Sequence, residues 1–246
     1  MGFEYYNRNL AKELHERKHI QDEGDYLYNT TKFFSESEIW YLIDSLVDVV
    51  ATLRDHDYHH GDIQPKNLLI DNEGKIKVLD NSLVNYGKTA YQKMLIDSKY
   101  EAALSPLLLE GLKTRTQIPI HSKVKSDMFS IGISALCAAT NTNVNHYYDW
   151  KQKRVNMAYP EEVEKILANE GFVGVEDRVG EDLQRMRTIQ YSEQLIGVIA
   201  GLLQYHEANR IDVDELRGFI QQNNLKQRQG GATFSNRYNI TVSPHI

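Results

Sequence analysis

Residues 59–81 read HHGDIQPKNLLIDNEGKIKVLDN and hold the side chains best suited to chemistry. Asp62, Pro65 and Asn67 come first, two short apolar runs follow, and Asp80 closes the stretch ahead of Asn81 and Ser82. Two carboxylates and an amide around one turn either handle a reacting group or bond nearby backbone, as Asp and Asn beside turns commonly do. His56, His59 and His60 resemble a metal cluster on paper, but no cysteine or further histidine lies at ligand spacing. The tyrosine runs EYY and HYYDW read as packing rather than as a stacking platform for bases.

These residues need elements to hold them. In FFSESEIWYLIDSLVDVVATLRDH, the residues Ile39, Leu42, Ile43, Leu46, Val49, Val50 and Leu53 recur at helical spacing. Ser35 with Glu38 gives that helix a capping-box start, and a shorter helix over about residues 10–18 precedes it. NLLID and KIKVLD flank NEG, and Ile76 and Val78 alternate with lysines, which predicts a tight β-hairpin. Residues 82–103 lack periodicity and read as an irregular loop. SDMFSIGISALCAAT is apolar almost all round and predicts a helix buried at the domain centre. Residues 140–190 are polar and mixed. SEQLIGVIAGLLQYH is another helix, and DVDELRGFIQQ is a last one opened by an Asp N-cap. The fold class is mostly α (α+β) with one small hairpin, over residues 1–222, followed by a polar tail at 223–246.

The chain has 246 residues, a formal charge of −6 and 41% hydrophobic residues, enough for one domain with a substantial core. Net acidity offers no general attraction to nucleic acid or anionic membranes, so neither is an expected partner. The single cysteine, Cys137, lies in an apolar run and reads as a buried thiol. Nothing approaches a membrane-spanning run of about 18 apolar residues, and the start MGFEYYNRNL has no signal-peptide core. Tyr6 stands where a myristoylation site has Ser or Thr. The expected location is cytoplasmic, in a reducing compartment, including a cytoskeletal or other large assembly.

Five segments, in order, resemble the C-terminal lobe of a eukaryotic protein kinase. HGDIQPKNLLI is similar to the catalytic loop H-R-D-x-x-x-x-N. KVLDNS stands where D-F-G belongs, and LSPLLLEGL resembles the A-P-E segment. KSDMFSIGISAL resembles the central helix with Asp127 at its start, and YHEANRIDVDEL resembles the last block with its Arg. FEYYNRNLAKEL resembles the hinge and first helix of the large lobe. Upstream of residue 60 neither a Gly-rich phosphate loop nor a V-A-I-K lysine appears, so the expectation is a kinase-like fold starting at its hinge, with the N-lobe absent.

The resemblance implies roles. Asp62 would accept the proton of a substrate hydroxyl, and Asn67 and Asp80 would hold Mg²⁺ through oxygens. His60, Asp127 and Arg210 would be structural, Asp127 bonding backbone near the catalytic loop, so Asp127 is expected to matter more for stability than Asp62. The departures point the other way. Gln64 replaces a Lys that meets the γ-phosphate and brings no charge. Gly61 replaces the Arg that pairs with a phosphorylated activation loop. Asn81 and Ser82 replace Phe and Gly. Leu107 takes the A-P-E glutamate position, which removes the usual partner of Arg210 and leaves Glu110 as the alternative the sequence offers. Lys66, where the family often has Glu, adds a cation suited to neutralise Asp62.

The resulting expectation is a catalytically inactive kinase-like module, a pseudokinase, serving as a structural or scaffolding subunit with no cofactor. Its protein partner would cover the face normally under the N-lobe: GFEYY, the hairpin from Leu68 to Val78, and Leu79. The alternative is an ATP-dependent serine/threonine kinase using MgATP, with its N-lobe missing from this chain. A small-molecule phosphotransferase shares the HGD loop, but the central-helix and A-P-E-like blocks argue against it.

Overall fold

The computed structural model describes residues 8–19, 34–71, 73–79, 87–117, 119–156, 162–163, 167, 191–223 and 225. The element order is β1 (Arg8–Asn9), α1 (Leu10–His19), α2 (Glu36–Asp55), β2 (Leu68–Ile70), β3 (Ile76–Val78), α3 (Ala90–Ile96), α4 (Pro106–Thr114), α5 (Lys123–Thr140), β4 (Tyr148–Asp149), β5 (Arg154–Val155), α6 (Glu193–Leu202) and α7 (Val213–Gln222). The domain is mostly helical with small antiparallel sheets.

Of the stripe read from α2, Ile39, Leu42, Ile43, Leu46 and Val50 are buried and Val49 and Leu53 are half-buried; the helix is buried on all sides from Glu38 to Val47. Burying each such side chain is worth about 1.5–3 kcal/mol. The Ser35–Glu38 capping box closes the N-terminus of α2 as the spacing predicts. Glu38 also takes Arg17 of α1 at 3.0 Å, and Arg17 stacks its guanidinium 3.6 Å above the Phe34 ring. One carboxylate therefore caps α2 and ties α1 to it.

Helix α5 runs through the middle, and Ser126 to Thr140 are buried throughout. Helices α2 and α6 pack against it, and α7 packs against α2. Gly132 is where the end of α6 comes closest: a Cβ there would stand 2.8 Å from Leu203 Cδ2 and 2.9 Å from Leu202 Cβ. Only glycine leaves room for that approach.

Three expectations change. The hairpin is the centre and edge of a three-stranded sheet, because β1 pairs antiparallel with β2 through Arg8↔Ile70 and Asn9↔Leu69. A two-residue strand carries no alternation to read. The stretch expected to be an irregular loop contains α3, opened by a Thr89–Gln92 capping box. Its buried apolar residues are too few to show a period over seven positions. Between 140 and 190, β4 and β5 form a second small ladder, and Tyr148 stacks on Trp150 at 4.5 Å. On the hairpin expected to meet a partner, Leu68 and Ile70 are buried and Ile76, Val78 and Leu79 half-buried, and the exposed large hydrophobics among the described residues are Tyr58, Leu95, Ile96, Leu107, Ile120 and Tyr205. The GFEYY segment lies outside the described residues, as does all of the tail expected at 223–246 except residues 223 and 225.

Candidate active site

The loop carrying Asp62 is hung from α5. Asp127 accepts the backbone N–H of His60 at 2.7 Å on one carboxylate oxygen and that of Gly61 at 2.8 Å on the other. Burial pushes the Asp127 carboxyl up, and the two backbone donors pull against it. His60 Nδ1 accepts the Asp62 N–H at 3.2 Å, so the ring proton sits on Nε2 and is donated to Leu79 O at 2.9 Å. Asn67 anchors the other end: its Nδ2 donates to Asp62 O at 2.8 Å, and its carbonyl accepts Leu79 N at 2.9 Å. Pro65 sets the 3₁₀ turn between them.

The Asp62 carboxylate is enclosed. Its side chain is 0% exposed, and Lys93 Nζ of α3 lies 2.5 Å from Oδ2. Tyr100 Oη donates to the same oxygen at 2.8 Å, and Gln64 Nε2 donates to Oδ1. Burial, with Asp62 alongside, raises the Tyr100 pKa, which keeps this hydroxyl a donor. Lys66 was the cation expected here. Its Nζ instead donates to Glu101 O at 2.9 Å and lies 3.7 Å above the Tyr100 ring. Burial lowers its pKa, against the pull of Asp62 and Glu101. The direct counter-ion is Lys93, from a helix the sequence did not reveal. Asp127 bonds the loop backbone as expected, but Asp62 is itself one half of a buried ion pair, so both residues carry stability.

Arg210 is 3% exposed and stands without the expected glutamate. It donates to Lys125 O at 2.7 Å and Gln204 O at 2.8 Å, and lies 4.9 Å from the centre of the Phe129 ring. Burial lowers its pKa to about 10. Glu110 does not substitute: it is exposed and pairs with Lys113 at 2.8 Å. Leu107 is 40% exposed, as a residue with no ion-pair role there can be. Asp80, Asn81 and Ser82 lie outside the described residues. Among the described residues no group of three His, Cys, Asp or Glu side chains could hold a metal, and no helix is long and apolar enough to cross a membrane.

The family model of the protein kinase domain matches residues 4–218. The chain belongs to the protein kinase family. Over 160 residues this kinase domain is 31% identical to the membrane-associated tyrosine- and threonine-specific cdc2-inhibitory kinase wee-1.3 of Caenorhabditis briggsae, which covers 62% of this chain and 22% of that protein. It is 34% identical over 109 residues to the serine/threonine-protein kinase ppk23 of Schizosaccharomyces pombe, covering 43% and 25% respectively. It is 28% identical over 107 residues to the dual specificity protein kinase zak2 of Dictyostelium discoideum, covering 42% and 16%. These matches thus span between 16% and 25% of the relatives' own length.

A kinase domain uses MgATP if it is active. Asn67 fits such a site in part: its amide nitrogen is committed to Asp62 O, which leaves the oxygen as the end a hard cation would meet. Lys93 and Tyr100 are the residues that sequence reasoning missed. The signal available for Lys93 was the Thr89–Gln92 cap, which starts a helix one turn before it.

Proposed function

We propose that this kinase domain is a catalytically inactive module that works as a structural or scaffolding subunit of a protein assembly. In this reading residues 1–222 are a large-lobe unit, 223–246 are a polar tail, and no cofactor is required. The observation that carries it is the enclosure of Asp62. A general base must lie about 2.6–3.2 Å from the proton it takes, and the Asp62 oxygens already face Lys93, Tyr100 and Gln64. A substrate hydroxyl would have to displace an ammonium from a buried carboxylate. Gln64 adds no positive charge for a phosphate, and losing one such electrostatic contact typically costs about 2.7–4 kcal/mol of barrier. The binding role draws on exposed apolar residues, with Ile96 at 70% and Ile120 at 98% exposure.

A second reading, an ATP-dependent serine/threonine kinase, is favoured by the relatives, which are named as kinases, and by the presence of Asp62 and Asn67. There MgATP would supply the phosphoryl group and the cation. Asn67 and Asp80 would hold the metal, and Asp62 would take the hydroxyl proton. The experiment that separates the two is a thermal titration with MgATP. Ligand at 100-fold its Kd adds about 2.7 kcal/mol, or roughly 5–10 °C in a domain of this size. No saturable shift up to millimolar MgATP is expected. A shift that saturates below millimolar overturns the inactive reading.

A further inference from the structure

A cavity of about 230 Å³ is lined by α1, the loop that carries Asp62 and the residues that end α5. Leu14, Gln64, Pro65 and Asn141 on its wall are buried, while His15, Glu101 and Asn143 are exposed. Scaled from a cavity of about 150 Å³ that takes benzene, it has room for about nine heavy atoms. Asn141 sets its chemistry. The residue caps the end of α5 in the left-handed conformation, with φ 53° and ψ 39°. It is 6% exposed, and neither its amide nitrogen nor its amide oxygen has a hydrogen-bond partner. Buried polar side-chain atoms are paired in the large majority of cases. Glycine serves a left-handed helix end with no amide to bury, so stability alone gives the Asn141 amide no purpose.

The rest of the wall narrows the ligand. Gln64 Nε2 is committed to Asp62 and Tyr100, which leaves its carbonyl to accept. Asn145 Oδ1 accepts Trp150 Nε1 at 2.8 Å, which leaves its amide nitrogen to donate. Lys66 and Glu101 oppose in sign, and Lys66 Nζ is already held by Glu101 O and the Tyr100 ring. A charged ligand would give up water for a wall whose charges cancel. A primary carboxamide offers one acceptor and one donor side by side, the complement of the Asn141 amide. We propose that this cavity binds a small neutral molecule carrying a primary carboxamide, its amide paired with Asn141 and its apolar body against Leu14, Pro65 and Val144. A glutamine side chain from a polypeptide would fill only about half of the space, so a whole small molecule fits better. The site goes beyond the proposed function, since it is the same whether or not the domain transfers phosphate.

Benzamide, benzoate and acetophenone are matched in size and differ in the group that would meet Asn141. Each is titrated into the full chain and followed by ligand-observed NMR. Benzamide should bind saturably below about 10 mM, and the other two at least about tenfold more weakly. Asn141→Gly keeps the left-handed helix end, so its urea midpoint should stay close to that of wild type, while its affinity for benzamide should fall at least about tenfold. No saturable binding of benzamide up to about 10 mM overturns the proposal. So does benzoate or acetophenone bound as tightly as benzamide, or a folded Asn141→Gly protein that binds benzamide like wild type. A midpoint far below wild type in that variant also overturns it, by showing that the amide is structural. If Asn141→Gly fails to fold, Ala11→Met adds bulk to the α1 side of the cavity: lost benzamide binding supports the site, and retained binding overturns it. N-acetylglutamine N-methylamide is titrated alongside. Weaker binding than benzamide supports a free small molecule, and tighter binding overturns that assignment in favour of a polypeptide side chain. Phosphotransfer assayed on the same samples judges the inactive reading separately, and neither result depends on the other.

Discussion

The buried pair of Asp62 and Lys93 makes a quantitative demand on stability. The Asp62 side chain is 0% and that of Lys93 8% exposed, with 2.5 Å between the charged atoms. At such a site, removing one partner leaves the other as an uncompensated buried charge, which costs about 3–5 kcal/mol. Lys93→Met keeps most of the apolar stem and deletes the ammonium. Tyr100 and Gln64 still donate to the carboxylate, so the lower end of that range applies. Asp62→Ala removes the carboxylate that Lys93, Tyr100 and Gln64 all face, so it should cost more than Lys93→Met. Asp127→Ala strands two backbone N–H groups at about 1–3 kcal/mol each, so it and Asp62→Ala should have costs of the same order. The double variant Asp62→Ala with Lys93→Met removes both charges and should cost less than the sum of the singles by about 2–3 kcal/mol. Urea unfolding followed by circular dichroism supplies all of these values, with the slope m checked for constancy. Single variants that each cost under about 1 kcal/mol, or costs that add within about 0.5 kcal/mol, would show that the pair is neither buried nor coupled.

Arg210→Met removes the side chain that donates to the carbonyls of Lys125, Gln204 and Tyr205 and should cost about 1–3 kcal/mol; an unchanged urea midpoint contradicts this. Burial, with Lys123, His121 and His60 nearby, holds His59 below its ordinary value of 6.5. The unfolded chain then takes up this proton at higher pH than the folded one, so the His59 contribution is complete above pH 6.5 and lost as pH falls through the folded value. His59→Gln should flatten the fall in stability between about pH 7.5 and 5; equal slopes in variant and wild type contradict it. Ile96→Lys with Ile120→Lys should change stability by no more than about 0.5 kcal/mol and should weaken association of the chain with its native assembly. Retention at wild-type yield shows that the apolar contact lies elsewhere.

Long, strongly patterned elements were legible in the sequence. The stripe of α2, the all-round apolar α5 and the Asp212 cap of α7 each carry enough residues for a period or a cap to stand out. The site divides differently. The loop from His60 to Asn67 was readable because its residue types and spacing are local. The state of Asp62 was not, because it depends on a cation 31 positions away, brought in by a helix too short to show a period. Lys66, closer in sequence, was the obvious counter-ion, yet Tyr100 and the Glu101 carbonyl draw it aside. Gly61 was visible as a lost Arg, while its positive role, making room for Thr89, needs the fold. The partner of Arg210 was sought among acids, and the structure supplies backbone carbonyls, which leave no trace in residue type.

The proposed function requires that Asp62 serve structure and not proton transfer. The direct measurement is phosphotransfer from labelled MgATP by the full chain, to itself and to a generic protein substrate, with wild type and Asp62→Asn side by side. No incorporation above background is expected in either. Incorporation by wild type that is lost in an Asp62→Asn protein with unchanged circular dichroism would contradict it.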